Sequence, residues 1–236
     1  MTDKLKKHIS DYFVGKEEII ENLLICLLSG GHILLEGVPG VGKTTLALTL
    51  AKSVKCDFGR IQFTPDALPT DIMGTEIFNM KTGEFEYREG AVMHQIILAD
   101  EINRTSPKTQ SSLLEAMEEG QTTVGGKKYK LPEPFMVIAT QNPTGSIGTH
   151  LLPDSQLDRF MVKLSVGYPD IDSEILMLKN KKYEENAYEI KQVISKDELV
   201  KIREEVSNVH INDEVLNYIT KLSSASRNSD YIKIGI

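Results

Sequence analysis

Apolar residues recur along this chain with two different periods, and the change from one to the other marks out alternating helices and strands. From Lys16 to Ser29, Ile19, Ile20, Leu23, Leu24, Leu27 and Leu28 return at helical spacing, and Gly30-Gly31 supplies a stop. Five short apolar runs read instead as strands: His32–Glu36, Arg60–Phe63, Gln95–Asp100, Phe135–Thr140 and Met161–Val166. Strands buried on both faces lose the apolar-polar alternation. Five of them separated by helical stretches therefore predict an α/β fold, a five-stranded parallel sheet sandwiched by helices.

Local signals refine this frame. Ser106-Pro107 is an N-cap and first-turn pair opening a helix that carries Leu113, Leu114 and Met117 and closes at Gly120. Gly125-Gly126 lies between strand-prone flanks in Thr122–Leu131, a two-residue hairpin signature because both turn positions can take positive φ. At Gly167-Tyr168-Pro169-Asp170 the pattern breaks, and the sequence beyond is highly charged and helical. There Ser195–Glu198 forms a capping box, and Asn212 caps a helix with Val215, Leu216, Ile219 and Leu222. The expected division is an α/β core over residues 1–168 and the start of a small helical domain over 169–236.

Composition narrows the function classes. A formal charge of −7 gives no global attraction to nucleic acid or anionic membrane. No apolar run approaches the roughly 18 residues needed to span a bilayer. The two cysteines, Cys26 and Cys56, form no disulfide framework, which fits a reducing, cytoplasmic setting.

The chemistry concentrates where strands end. Gly37-Val38-Pro39-Gly40-Val41-Gly42-Lys43-Thr44 follows a strand and opens a helix, the context a phosphate-binding loop requires. Backbone N–H groups and the helix N-terminus favour phosphate, Lys43 neutralises its oxygens, and Thr44 is suited to ligate Mg²⁺; Thr45 completes the candidate cofactor-binding set. Ile96–Glu101 ends an apolar strand in two carboxylates. Asp100 suits the Mg²⁺ shell and Glu101 the polarising of an attacking water. By itself an Asp-Glu pair after a strand reads as a solvated strand end; the phosphate loop reverses that preference.

These residues and their surroundings resemble the MoxR family of AAA+ ATPases. The likeness runs through Gly30–Gly40 and Leu98–Arg104, and continues in Phe63–Asp66, Pro69–Gly74, Leu114–Glu119, Ala139–Pro143 and Leu152–Phe160. It implies a P-loop NTPase fold and an ATPase using ATP and Mg²⁺. It also implies that Asn142 is the polar sensor beside the phosphate loop, although Asn-Pro alone reads as a turn. Arg159 resembles the family's arginine finger, which reaches a neighbouring subunit and so requires a ring, a hexamer by the resemblance. Read alone, Leu157–Phe160 is a helix end with a local Asp-Arg pair.

Residues from about Ile72 to Gly90 resemble the insertion of this AAA+ branch, and the Gly125-Gly126 hairpin its projection near the ring axis. Both are candidate contacts for a protein client, with a von Willebrand factor A domain partner implied. Lys127, Lys128 and Lys130 read as a solvated hairpin face in preference to a nucleic-acid site. Family members continue past a segment like Tyr231–Gly235 into a Ser-Pro-Arg-type motif with a second sensor arginine, which these 236 residues do not contain; Arg227 precedes that segment and is not assigned the role. The expected activity is ATP hydrolysis coupled to remodelling, maturation or metal-cofactor assembly of partner proteins. The alternatives are a nucleotide-controlled binding scaffold with little turnover, and an AAA+ subunit of a restriction or chelatase complex.

Overall fold

The computed structural model describes residues 2–13, 15–37, 40–142, 149–168, 171–179, 190–232 and 235. Val38 and Pro39 of the expected phosphate loop, Pro143 after the expected sensor residue, and Pro169-Asp170 at the expected domain boundary lie outside them. The chain divides into two compact units, residues 1–203 and 204–236.

In the first unit, helices α1 (Thr2–Tyr12) and α2 (Glu17–Ser29) precede β1 (Ile33–Glu36) and α3 (Lys43–Ser53). Next come β2 (Phe58–Gln62), the short α4 (Pro69–Met73), the hairpin β3 (Gly74–Asn79) and β4 (Glu84–Glu89), then β5 (Ile96–Asp100) and α5 (Pro107–Glu119). A second hairpin, β6 (Gln121–Val124) and β7 (Lys127–Lys130), leads to β8 (Met136–Gln141), α6 (Asp154–Leu157), β9 (Val162–Ser165) and α7 (Ile171–Lys179). Helix α8 (Lys196–Ser207) follows. The five expected strands form one parallel sheet in the order β2-β5-β8-β1-β9.

Each central strand is apolar on both faces, and alternate residues enter different cores. Ile33, Leu35, Ile96, Leu98, Met136 and Ile138 pack with residues of α1, α2 and α3, among them Leu5, Leu23 and Leu46. Leu34, Ile97, Ala99, Val137 and Ala139 face the other way, against Leu113, Leu114 and Met117 of α5. This is the sandwich the apolar runs predict. Full burial of such side chains supplies about 1.5–3 kcal/mol each, which is why the strand pattern outweighs local propensity.

Capping signals act where the sequence places them. Ser106 Oγ accepts from the Thr109 N–H, Gly30 and Gly120 close their helices in the left-handed conformation, and the Ser195–Glu198 box forms its reciprocal bonds. Gly125 and Gly126, at φ 58° and 79°, make the two-residue turn between β6 and β7. The buried His32 ties three elements together: its Nδ1 accepts from the Val137 N–H at 3.0 Å, and its Nε2 lies 3.4 Å from the Met117 carbonyl.

The unit 204–236 contains helix α9 (Asp213–Arg227), capped by Asn212, whose Oδ1 accepts from the Val215 N–H at 2.9 Å.

Candidate functional site

Sheet order decides where the chemistry gathers. β1 lies inside the sheet between β8 and β9, with β5 on the far side of β8, so the residues after β1, β5 and β8 emerge side by side at the carboxyl edge. This is the edge at which open α/β sheets bind ligands.

The loop after β1 is shaped by glycine. Gly40 and Gly42 adopt φ of 88° and 82°, and Gly42 is the N-cap from which α3 starts. Gly37 permits close approach, since a Cβ there would stand 2.7 Å from the Val166 carbonyl oxygen. Lys43, only 8% exposed, donates from Nζ to the Gly37 carbonyl at 2.9 Å. Burial holds its pKa below the ordinary lysine value, and the negative charges of Asp100 and Glu101 oppose that shift. The lysine and the acidic pair therefore share one electrostatic site. Thr44 and Thr45 follow in the first turn of α3, both half-buried.

Asp100 closes β5 with both carboxylate oxygens engaged. Oδ1 accepts from the Thr140 hydroxyl at 2.7 Å, and Oδ2 pairs with an Arg60 terminal nitrogen at 2.8 Å. The next residue turns sharply. Glu101 takes φ 57°, in the left-handed region that non-glycine residues seldom occupy, and its N–H donates to Thr140 Oγ1 at 2.8 Å. One threonine on β8 thus fixes the side chain of one acid and the backbone of the other. The Glu101 carboxylate receives Asn142 Nδ2 on Oε1 at 3.3 Å, and Arg104 at 2.9 Å and Gln62 at 3.3 Å on Oε2. Strain at Glu101 is consistent with an acid aimed for a task, since such backbone outliers cluster at functional sites.

Lys43, Asp100, Glu101 and Asn142 therefore come together. Arg159 stands apart from them: its guanidinium pairs with Glu118 of α5 and donates to the Ser155 carbonyl at 3.2 Å. Sequence reasoning did not find Arg60, Gln62, Thr140 or Asn103, all of which touch the acidic pair or the Asn142 backbone. Their signal is spatial, because β2 and β8 flank β5 only after the sheet forms.

The hairpin β3–β4 carries exposed Ile77, Phe78, Met80 and Phe85, with the Phe78 and Phe85 rings edge to face at 5.3 Å. It leans on the second hairpin through stacked Tyr87 and Tyr129, 3.9 Å between centroids, and a Lys127–Glu76 ion pair.

The residues present suit a magnesium nucleotide. Positive-φ glycines and a buried ammonium group suit an anionic phosphate chain, and Asp100 and Thr44 are hard oxygen donors beside it. Among the described residues no group of three or more His, Cys, Asp or Glu side chains forms a metal cage, and Mg²⁺ carried by phosphates needs none.

Fold and site define the class: a P-loop ATPase of the AAA+ type, with a five-stranded parallel sheet and its phosphate loop between β1 and α3. Residues 32–162 match the ATPase family associated with various cellular activities (AAA). An uncharacterized protein of Bacillus subtilis, YeaC, is 48% identical over 99% of this chain and 73% of its own length. The chaperone MoxR1 of Mycobacterium tuberculosis is 41% identical over 93% of this chain and 58% of its own. The crystal structure of a putative ATPase from Cytophaga hutchinsonii superposes with a TM-score of 0.86 at 44% identity, covering 95% of this chain and 68% of that one. The chain belongs to the MoxR family of AAA+ ATPases. It spans between about three fifths and three quarters of the length of these relatives. No helix among the described residues is long and apolar enough to cross a membrane.

Proposed function

We propose that this protein binds ATP with Mg²⁺ at the loop Gly37–Thr45 and hydrolyses it, coupling turnover to the remodelling, maturation or metal-cofactor assembly of partner proteins. The observation that carries the reading is the gathering of buried Lys43, which opens α3 after β1, with Asp100 and Glu101 at the end of β5, at one edge of the sheet. A buried lysine beside positive-φ glycines, at the same sheet edge as two carboxylates, suits a magnesium triphosphate better than any neutral ligand.

Each side chain then has a distinct task. Lys43 gives up the Gly37 carbonyl for phosphate oxygens. Thr44 and Asp100 would hold Mg²⁺, which would supply charge neutralisation for the phosphates. Glu101, set by its left-handed turn, orients and polarises the attacking water and accepts its proton. Asn142 holds that water or the terminal phosphate through its amide. Arg159 serves the site of an adjacent subunit in a ring, taken as a hexamer, where a fixed guanidinium stabilises charge that grows during phosphoryl transfer.

The same reading takes residues 1–168 as the ATPase core and 169–236 as the start of a lid, places the protein in the cytoplasm, and assigns client contact to the two hairpins, the first of which presents Phe78, Met80 and Phe85 to solvent. A client with a von Willebrand factor A domain fits this assignment. The relative named a chaperone supports a protein client over nucleic acid. The test is phosphate release from ATP with and without Mg²⁺, alongside the solution mass with ATP. Magnesium-dependent release from a ring-sized species is expected; release that ignores Mg²⁺, or none at all, overturns the reading.

A further inference from the structure

The side-chain amide of Asn103 grips the main chain of Asn142 at both of its polar groups. Asn103 Nδ2 donates to the Asn142 carbonyl at 3.2 Å, and Asn103 Oδ1 accepts from the Asn142 N–H at 3.2 Å. Asn103 is 1% exposed, so water is a poor substitute for either bond. The position is telling. β8 ends at Gln141, where its register with β1 also stops at the Glu36–Gln141 pair. Asn142 is the first residue the sheet no longer holds, and Asn103 supplies the two bonds a neighbouring strand would otherwise provide.

What hangs from that backbone is the sensor amide. Asn142 Nδ2 donates to Glu101 Oε1 at 3.3 Å, while its Oδ1 is buried without a partner among the described residues. The opposite amide orientation would set an oxygen against the carboxylate, so the hydrogen-bond network selects this one. A buried acceptor left open beside a carboxylate matches an O–H donor placed between the two. Asn103 is itself anchored: Gln110 of α5, fully buried, donates to the Ile102 and Thr105 carbonyls at 3.1 and 3.3 Å, and the His150 N–H bonds the Asn103 carbonyl. The turn that aims Glu101 therefore also carries the clamp on its partner amide.

We propose that Asn103 is a positioning residue for ATP hydrolysis, fixing the Asn142 main chain so that the sensor amide and Glu101 address the same water. This rests on the hydrolytic reading above. A merely structural Asn103 would affect folding stability and leave the turnover of folded molecules unchanged.

The experiment compares full-length wild type, Asn103→Ala, Asn103→Asp, Asn142→Ala and the double Ala variant in ATP turnover, affinity for a fluorescent ATP analogue and melting temperature. Asn103→Ala lowers kcat about 10- to 100-fold, as loss of a supporting shell does, with nucleotide affinity kept. Asn103→Asp, which retains the acceptor and loses the donor, falls between. The double variant is no slower than Asn142→Ala, because the clamp acts only through that amide. Wild-type kcat in folded Asn103→Ala, or losses that multiply in the double variant, overturns the proposal. If Asn103→Ala does not fold, Asn103→Asp decides alone: reduced kcat supports the clamp and wild-type kcat overturns it. A wild type that binds ATP without hydrolysing it overturns the hydrolytic reading, and this inference with it.

Discussion

Arg159 binds Glu118 of its own chain through two nitrogens, Nε at 2.8 Å and a terminal nitrogen at 2.7 Å, both on the same carboxylate oxygen. The Glu118 side chain is 61% exposed, and an ion pair so open to water is worth no more than about 1 kcal/mol. Such a pair holds the guanidinium in place and releases it to a stronger anion at little cost. In a ring, Arg159→Ala is expected to lower kcat by roughly 10³-fold or more with nucleotide affinity kept. Mixing Arg159→Ala with Glu101→Gln subunits restores turnover where an intact finger meets an intact glutamate. Mixed rings as inactive as either parent would show that Arg159 does not act across the interface.

Lys43 makes the next prediction. A charge-assisted bond contributes about 1.5–3 kcal/mol, so Lys43→Ala weakens ATP binding by roughly 10- to 150-fold. Isothermal titration at moderate salt measures this. The same substitution leaves the melting temperature without nucleotide nearly unchanged or raised, because burial already disfavours the lysine's charge.

His32 gives the fold a defined response to acid. Burial pushes its pKa from 6.5 down to about 4, with the Arg203 charge adding to the shift and the hydrogen bond to the Met117 carbonyl opposing it. The folded pKa lies below the unfolded one, so this group's contribution is complete above pH 6.5 and is lost as pH falls from 6.5 toward 4. The full effect is roughly 3 kcal/mol. Urea unfolding across that window should show the decline, flattened in His32→Gln. Carboxylates such as Glu36 and Glu133, whose pKa values are lowered by their lysine partners, lose stabilisation at lower pH in both proteins.

Cys26 and Cys56 should resist alkylation in the folded protein. Burial raises both thiols to about 11, which leaves on the order of one thiolate in a thousand at pH 8. Iodoacetamide labelling detected by mass is expected only with denaturant.

What the sequence made legible was short in range. The Gly125-Gly126 turn, the Ser106 cap and the Gly30 stop each depend on residues within one turn of each other, so spacing alone revealed them. The expected strands match the observed ones to within two residues: the central β1, β5 and β8 are buried on both faces, and the edge strands β2 and β9 keep short apolar stretches beside exposed Arg60, Gln62, Lys163 and Ser165. α1 escaped notice because only Leu5 and Ile9 carry its burial amid lysines. β3 and β4 form a hairpin whose alternation is confined to Phe85 and Tyr87 between charged neighbours, too short a signal to mark a strand pair. The ties that refine the site were beyond reach for a different reason. Asn103 to Asn142 spans 39 positions, Thr140 to Asp100 spans 40 and Arg159 to Glu118 spans 41, and each exists only once the sheet order is set.

The central claim is that Glu101 activates water at the site Lys43 helps to build, and its most direct test is steady-state ATP turnover of wild type and Glu101→Gln with nucleotide affinity measured in parallel. Replacing the carboxylate by an amide of the same shape removes a general base worth about 10²- to 10⁴-fold. The predicted result is turnover reduced by that factor with ATP affinity equal to or tighter than wild type. Unchanged turnover in Glu101→Gln would contradict the account.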